Sequence, residues 1–270
     1  MPQNMPRRRF LACASAAAVL PASIAHATEP APGAASRPTM PHLLGQDPAV
    51  VREVVGAAHR SLETVQRLVD RQPALVNATM DHGFGDWESA IDAASHTGQV
   101  EIARYLLGKG ARPTIFTFAM LGQLEAVKAM IDAMPGIERT LGPHGITLVA
   151  HAEAGGEAAA ATAAYLATVE GSGVGYPSPR LTMPEGAPYL GAYRFGPHET
   201  DRIEVIDRNG VVVLQRAGGS FRFIFRVEGH TFHPTGAPAV RIAFEVKDGA
   251  ATRLTIADPE VYLTADRVAG

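Results

Sequence analysis

The chain of 270 residues has one cysteine, Cys13, one tryptophan, and only 6% aromatic residues. A single thiol cannot close a disulfide within the chain. It also lies in a segment that reads as a leader, so the mature protein would have no thiolate nucleophile and no cysteine metal site. The apolar run of that segment, Phe10 to Leu20, is too short to span a bilayer. A surplus of positive charge is lacking too. Lys and Arg number 24 against 27 Asp and Glu, and loss of Arg7, Arg8 and Arg9 with the leader leaves 21 against 27. A chain of that sign is a poor binder of phosphate backbones, so no nucleic-acid partner is expected. What is present is 46% hydrophobic and 19% charged residues, enough apolar surface for one large domain or two ordinary ones.

Residues 6–27 combine a basic stretch, the apolar run and small residues at Ala25-His26-Ala27, the pattern of an export signal cleaved near Ala27. Arg7-Arg8-Arg9-Phe10-Leu11 resembles the twin-arginine signal, which implies a bacterial periplasmic or secreted product. Residues 28–45 begin as a Pro/Ala/Ser-rich tether without apolar periodicity.

Residues 87–113, WESAIDAASHTGQVEIARYLLGKGARP, are similar to an ankyrin repeat. Ser89 to Asp92 stand for its T-P-L-H, and Glu101-Ile102, Leu106-Leu107 and Gly110-Ala111 match outright. Anchoring on the glycine between the two helices places further copies at Arg60, Gly122 and Gly155. The intervals are 38, 24 and 33 residues, around the ankyrin period of about 33. The resemblance implies about four repeats over residues 46–170. Each would supply two amphipathic helices, burying Ile91, Ala94, Ile102, Leu106, Ala119, Val127, Ile131, Leu148 and Leu166 in one continuous core. Residues 171–188, rich in Gly and Pro, read as a linker.

From Tyr189 the pattern alternates with period two. Phe221, Phe223, Phe225 and Val227 share one face, with Arg222 and Arg226 on the other; Val240, Ile242, Phe244 and Val246 repeat the pattern. Asn209-Gly210 and Asp248-Gly249 are hairpin turns. Residues 189–270 should therefore curl as seven or eight antiparallel strands around one core. They also resemble the small all-β accessory module of bacterial serine hydrolases of the penicillin-binding-protein class, through Tyr189 to Tyr193, Asn209-Gly210-Val211 and Leu254 to Asp258. The fold class expected is an α-solenoid of ankyrin repeats followed by a small all-β antiparallel barrel or bent-sheet domain.

Chemistry-bearing patterns are sparse. There is no Gly-x-Ser-x-Gly. His230 and His233 would point to opposite faces of a strand. His144, in a turn, and His151, on a helix, read as structural or exposed, so no catalytic residue, cofactor or metal site is expected. The functional candidates lie in one finger between the first two helix pairs: Asp81, His82, Phe84, Asp86 and Trp87, aromatic and charged residues on a glycine-shaped loop of the kind that anchors partners. Phe84 would be the exposed contact and Trp87, beside a helix start, the buried one; both folding back as a seal is the alternative. The function expected is an exported, monomeric, non-catalytic scaffold for an unidentified protein partner. The rival is a small-ligand carrier or enzyme whose pocket lies in the β-module, lined by Phe221, Phe223, Phe225 and Phe244. A filled barrel would disfavour the rival and an open cavity would favour it.

Overall fold

Asp47 caps the first helix, its carboxylate accepting from the Ala49 amide at 2.8 Å, and Pro48 occupies the first turn, where a missing N–H costs nothing. The computed structural model of the chain describes residues 45–176, 179–216 and 219–268. The leader of residues 1–27 and nearly all of the tether lie outside the described residues. Side-chain caps recur at Ser61, Ser89 and Thr147, so short sequences of low intrinsic helicity are started locally and completed by packing. The helices are α1 (Pro48–Ala58), α2 (Leu62–Arg71), α3 (Ala90–His96), α4 (Val100–Gly108), α5 (Ile115–Met120), α6 (Leu124–Ala133), α7 (Leu148–Ala154) and α8 (Ala160–Thr168). None of the helices described is long and apolar enough to cross a membrane. Between α2 and α3 stands a hairpin of β1 (Thr79–Asp81) and β2 (Trp87–Ser89).

The solenoid of ankyrin repeats is corrected here. The protein is a mixed α/β fold with a closed eight-stranded antiparallel barrel, and the eight α-helices among the described residues form no evident repeating superhelix. The apolar residues expected to form one continuous core fall into two clusters. One spans α1 to α4 with Met120; the other joins Ile115, Phe116, Ala119, Val127, Leu148, Ala152 and Leu166. Ile131 is only partly buried against the second. The physical reason lies in the scale of the signal. A motif such as Ser89 to Asp92 with Leu106-Leu107 reports one amphipathic helix pair, whereas a solenoid needs the same interface at every step. Intervals of 38, 24 and 33 residues do not supply it.

The barrel runs β3 (Gly191–Arg194), β4 (Arg202–Arg208), β5 (Val211–Arg216), β6 (Phe221–Glu228), β7 (Thr231–Pro234), β8 (Arg241–Lys247), β9 (Ala250–Asp258) and β10 (Val261–Arg267). Each strand pairs antiparallel with the next, and β10 closes on β3 at Asp266↔Arg194 and Arg267↔Tyr193. Asn209-Gly210 and Asp248-Gly249 both sit at positive φ and turn the chain between β4 and β5 and between β8 and β9. Tyr189, Tyr193, Phe232 and Phe244 pack as an aromatic cluster inside, with Tyr193 Oη donating to the Tyr189 carbonyl at 2.7 Å.

The Phe-rich face of β6 points the other way from the expectation. Leu214 pairs with Arg222 and belongs to the barrel core, as does Ile224, so Arg222 and Ile224 face inward. Phe221, Phe223 and Phe225 face outward and do not line the interior. Arg208 stacks on Phe221 at 4.1 Å and Arg180 on Phe223 at 3.9 Å, while His233 and Tyr176 pack against Phe225. Alternation distinguishes two faces without saying which is inside. Residues 180–182 are wedged between β5 and β6, bridging to them at Thr182↔Val211 and Arg180↔Phe225 with Leu181 in the barrel core, while Arg180, Arg208, Tyr176 and His233 cover the outward phenylalanines.

Candidate functional site

The finger that enlarges the first interhelical interval packs on the barrel. At its tip Gly83, Phe84 and Gly85 all have positive φ, with Asp81 Oδ1 accepting from the amides of Gly83 and Gly85 at 2.7 and 3.1 Å. A left-handed phenylalanine is strained unless its surroundings hold it. Phe84 is held by the barrel core, against which it is partly buried. Trp87 is instead 61% exposed. The two aromatic residues have thus exchanged the roles read from the sequence: being next to a helix start did not bury Trp87, since Trp87 and Glu88 are successive strand residues facing opposite ways and the inward place is taken by Glu88. Trp87→Ala is expected to change unfolding stability by no more than about 0.5 kcal/mol, and Phe84→Ala to cost about 1–2 kcal/mol, in paired urea denaturations.

Between finger and barrel lies a cavity of about 670 Å3 at one barrel mouth. Its apolar wall is made by Met80, Phe84, Phe195, Ile203, Leu214 and Ile256, and its cations are Arg52, Arg216 and Arg222. Arg222 is only 6% exposed. One Nη donates to the Phe221 carbonyl at 3.2 Å, the other is 3.7 Å from Asp86, and Nε and Nη2 have no hydrogen-bond partner among the described residues. Burial pulls its pKa down to about 10, which leaves it charged at neutral pH. A buried guanidinium with unpaired donors is costly unless something meets it.

Beneath the finger lies a polar cluster that sequence reasoning missed. Glu88 is fully buried. Its Oε1 is 2.7 Å from His96 Nε2, 3.3 Å from His144 Nε2 and 3.6 Å from His59 Nε2, and its Oε2 is 2.7 Å from His82 Nε2. His82 also lines the cavity. Asp86, likewise buried, accepts from the His144 amide at 2.8 Å and takes His144 Nδ1 at 2.7 Å. Burial by itself would raise the Glu88 carboxyl. Hydrogen bonds from His144 and His96 and the charges of His144 and His59 outweigh it and hold the group at about 2. Burial works against the His144 imidazolium as well, yet Asp86 and Glu88 lift it to about 9. His151, pushed down to about 4 by burial, is neutral; its Nδ1 donates to the Thr147 carbonyl at 2.9 Å.

Of the five candidates, His82 and Asp86 therefore enter this cluster. Asp81 and Phe84 shape the cavity, and Trp87 stands outside both. Glu88, His59, His96 and His144 were absent from the candidate set. They sit on β2, just past α1, on α3 and in the turn before α7, separated by 29, 8 and 48 residues in chain order, and no local spacing marks them. The one available hint was the alternation Trp87-Glu88-Ser89, which gives Glu88 a face of its own.

No protein-family model and no curated protein matches the chain. The resemblances to ankyrin repeats and to the accessory module of penicillin-binding-protein-class hydrolases are corrected accordingly: what the fold defines is a mixed α/β protein whose helical part carries a finger onto a closed barrel.

Proposed function

We propose that the protein binds a small organic anion with an apolar body at the barrel mouth, as an exported carrier or sensor with no covalent chemistry. The observation that supports this most directly is Arg222, a buried guanidinium with two unpaired donor groups on the wall of a cavity otherwise lined by aliphatic and aromatic side chains. An eight-stranded barrel has room for its own side chains or for one small ligand, and about 670 Å3 is within the range of ligand sites. Arg52 and Arg216 add positive potential at the same opening, opposed by Asp81 alone among the carboxylates of the wall. The anionic head would meet Arg222 and the body would lie against Ile203, Leu214 and Ile256.

Displacement of the fluorescent anion 8-anilinonaphthalene-1-sulfonate tests this. Decanoate should displace it and decanol should do so far more weakly. Arg222→Gln should weaken decanoate by about 10–100-fold, the worth of a hydrogen bond to a charged group, while leaving decanol unchanged. Equal displacement by acid and alcohol would defeat the reading.

A second reading, a scaffold contacting a partner protein, is favoured by one observation. Trp87 stands exposed beside a shallow groove of about 230 Å3 formed with Thr114, Leu141 and Pro143. Exposed tryptophans beside grooves make interface anchors. Pull-down from a periplasmic extract with the natural chain and Trp87→Ala tests it, and recovery of the same partners by both would dismiss it.

A further inference from the structure

The histidine cluster under the finger gathers ring nitrogens from three separate segments at one buried oxygen. His59 Nδ1 lies 3.0 Å from the Val55 carbonyl, and His144 Nδ1 lies 2.7 Å from the Asp86 carboxylate. Both partners only accept, so both rings carry a proton on Nδ1, and both direct Nε2 at the same buried oxygen, Glu88 Oε1. His96 adds a third Nε2 at that oxygen. Three ring nitrogens converging on one buried carboxylate oxygen are the donor set of a metal site, in which an ion takes the place of the Nε2 protons.

We infer that His59, His96, His144 and Glu88 form a binding site for one divalent first-row transition metal ion, with zinc the simplest occupant. The four ligand atoms lie within 4.8 Å of one another. A tetrahedral zinc ion with bonds of about 2.0–2.1 Å needs ligand atoms about 3.4 Å apart. The distances from Glu88 Oε1 to His59 and His144 are 3.6 and 3.3 Å, and His96, at 2.7 Å, has to draw back by about 0.7 Å. Three imidazoles and one carboxylate suit zinc, copper, iron or nickel rather than calcium or magnesium. The outer contacts match as well. A histidine ligand normally gives its other N–H to a carbonyl or a carboxylate, as His59 gives to Val55 and His144 to Asp86. His82, on the opposite oxygen of Glu88, orients the carboxylate. The ion would tie together the end of α1, the finger, α3 and the turn carrying His144. It does not depend on the identity of any ligand in the barrel cavity.

The test uses the full chain, stripped with chelator and titrated with Zn2+ against a chromophoric competitor. The result expected is one zinc ion per chain and a rise in thermal midpoint on saturation. Asp86→Asn should weaken zinc by about 10–100-fold, as removal of an outer partner does, and His59→Gln or His96→Gln by more than that. His230→Gln, on the far side of the barrel core, should bind as the natural chain does. Absence of stoichiometric zinc binding would overturn the inference. So would retention of one ion by a His59→Gln/His96→Gln double variant that keeps its circular dichroism. Should a variant fail to fold, the Co2+ spectrum of the natural chain decides: strong visible absorption of a four-coordinate nitrogen/oxygen site supports the assignment, and the weak spectrum of six-coordinate aqueous cobalt refutes it.

Discussion

Glu88→Ala, measured in chelator so that metal does not contribute, should lower unfolding free energy by about 3–5 kcal/mol. The carboxylate is fully buried, and it is the shared acceptor for imidazoles from His82, His96 and His144, with that of His59 at 3.6 Å. Its removal leaves the His144 imidazolium, lifted to about 9 partly by Glu88, with only Asp86 to offset it. Breaking one side of a buried charge cluster costs more than the cluster contributes as a whole, because the remaining charge has no water to turn to. Glu88→Gln keeps the shape and one acceptor oxygen, so its loss should be smaller than that of the alanine variant. Urea midpoints of the three proteins decide; a loss under about 1 kcal/mol for Glu88→Ala would show that the histidines find other partners or water.

The other large effect lies in the barrel and reads out which face of β6 is inside. Ile224→Ala should cost about 2–5 kcal/mol, the usual range for emptying a fully buried aliphatic site. Phe221→Ala removes a larger side chain but should cost only about 1 kcal/mol, since the ring lies outside the barrel, half-buried under Arg208. Hydrophobicity alone orders the two variants the opposite way. A larger loss for Phe221→Ala in denaturant titrations would restore the inward phenylalanine face and remove Arg222 from the cavity wall. The two variants therefore also bear on the ligand proposal, because Arg222 can line the cavity only if β6 is turned as described.

Much of the secondary structure was legible because it is local. Asn209-Gly210 and Asp248-Gly249 turn the hairpins they mark, and the caps at Ser61, Ser89 and Thr147, which the sequence reading did not use, are equally local. Most residues named for the helical core were read correctly: Ile91, Ile102, Leu106, Val127, Leu148 and Leu166 are buried, as are Ile242 and Phe244 in the barrel. Misreadings began where a local pattern was extended to a long-range arrangement. Helix pairs were read as a repeating solenoid, and Phe84 and Trp87 were assigned burial by their neighbours in sequence.

By itself the amino-acid sequence determined the places where helices start, where strands turn and which residues avoid water, since capping, turn geometry and amphipathic period act within a few residues. Only the tertiary structure decided that β10 closes on β3, that the finger seats Phe84 on the barrel, that Arg222 faces inward, and that His59, Glu88, His96 and His144 meet. Each of these joins residues far apart in the chain, and their energy depends on distances and burial that no spacing encodes. A lone histidine reads the same in sequence whether it faces solvent or a buried carboxylate. The difference appears only when the elements carrying the two groups pack together and exclude the water between them.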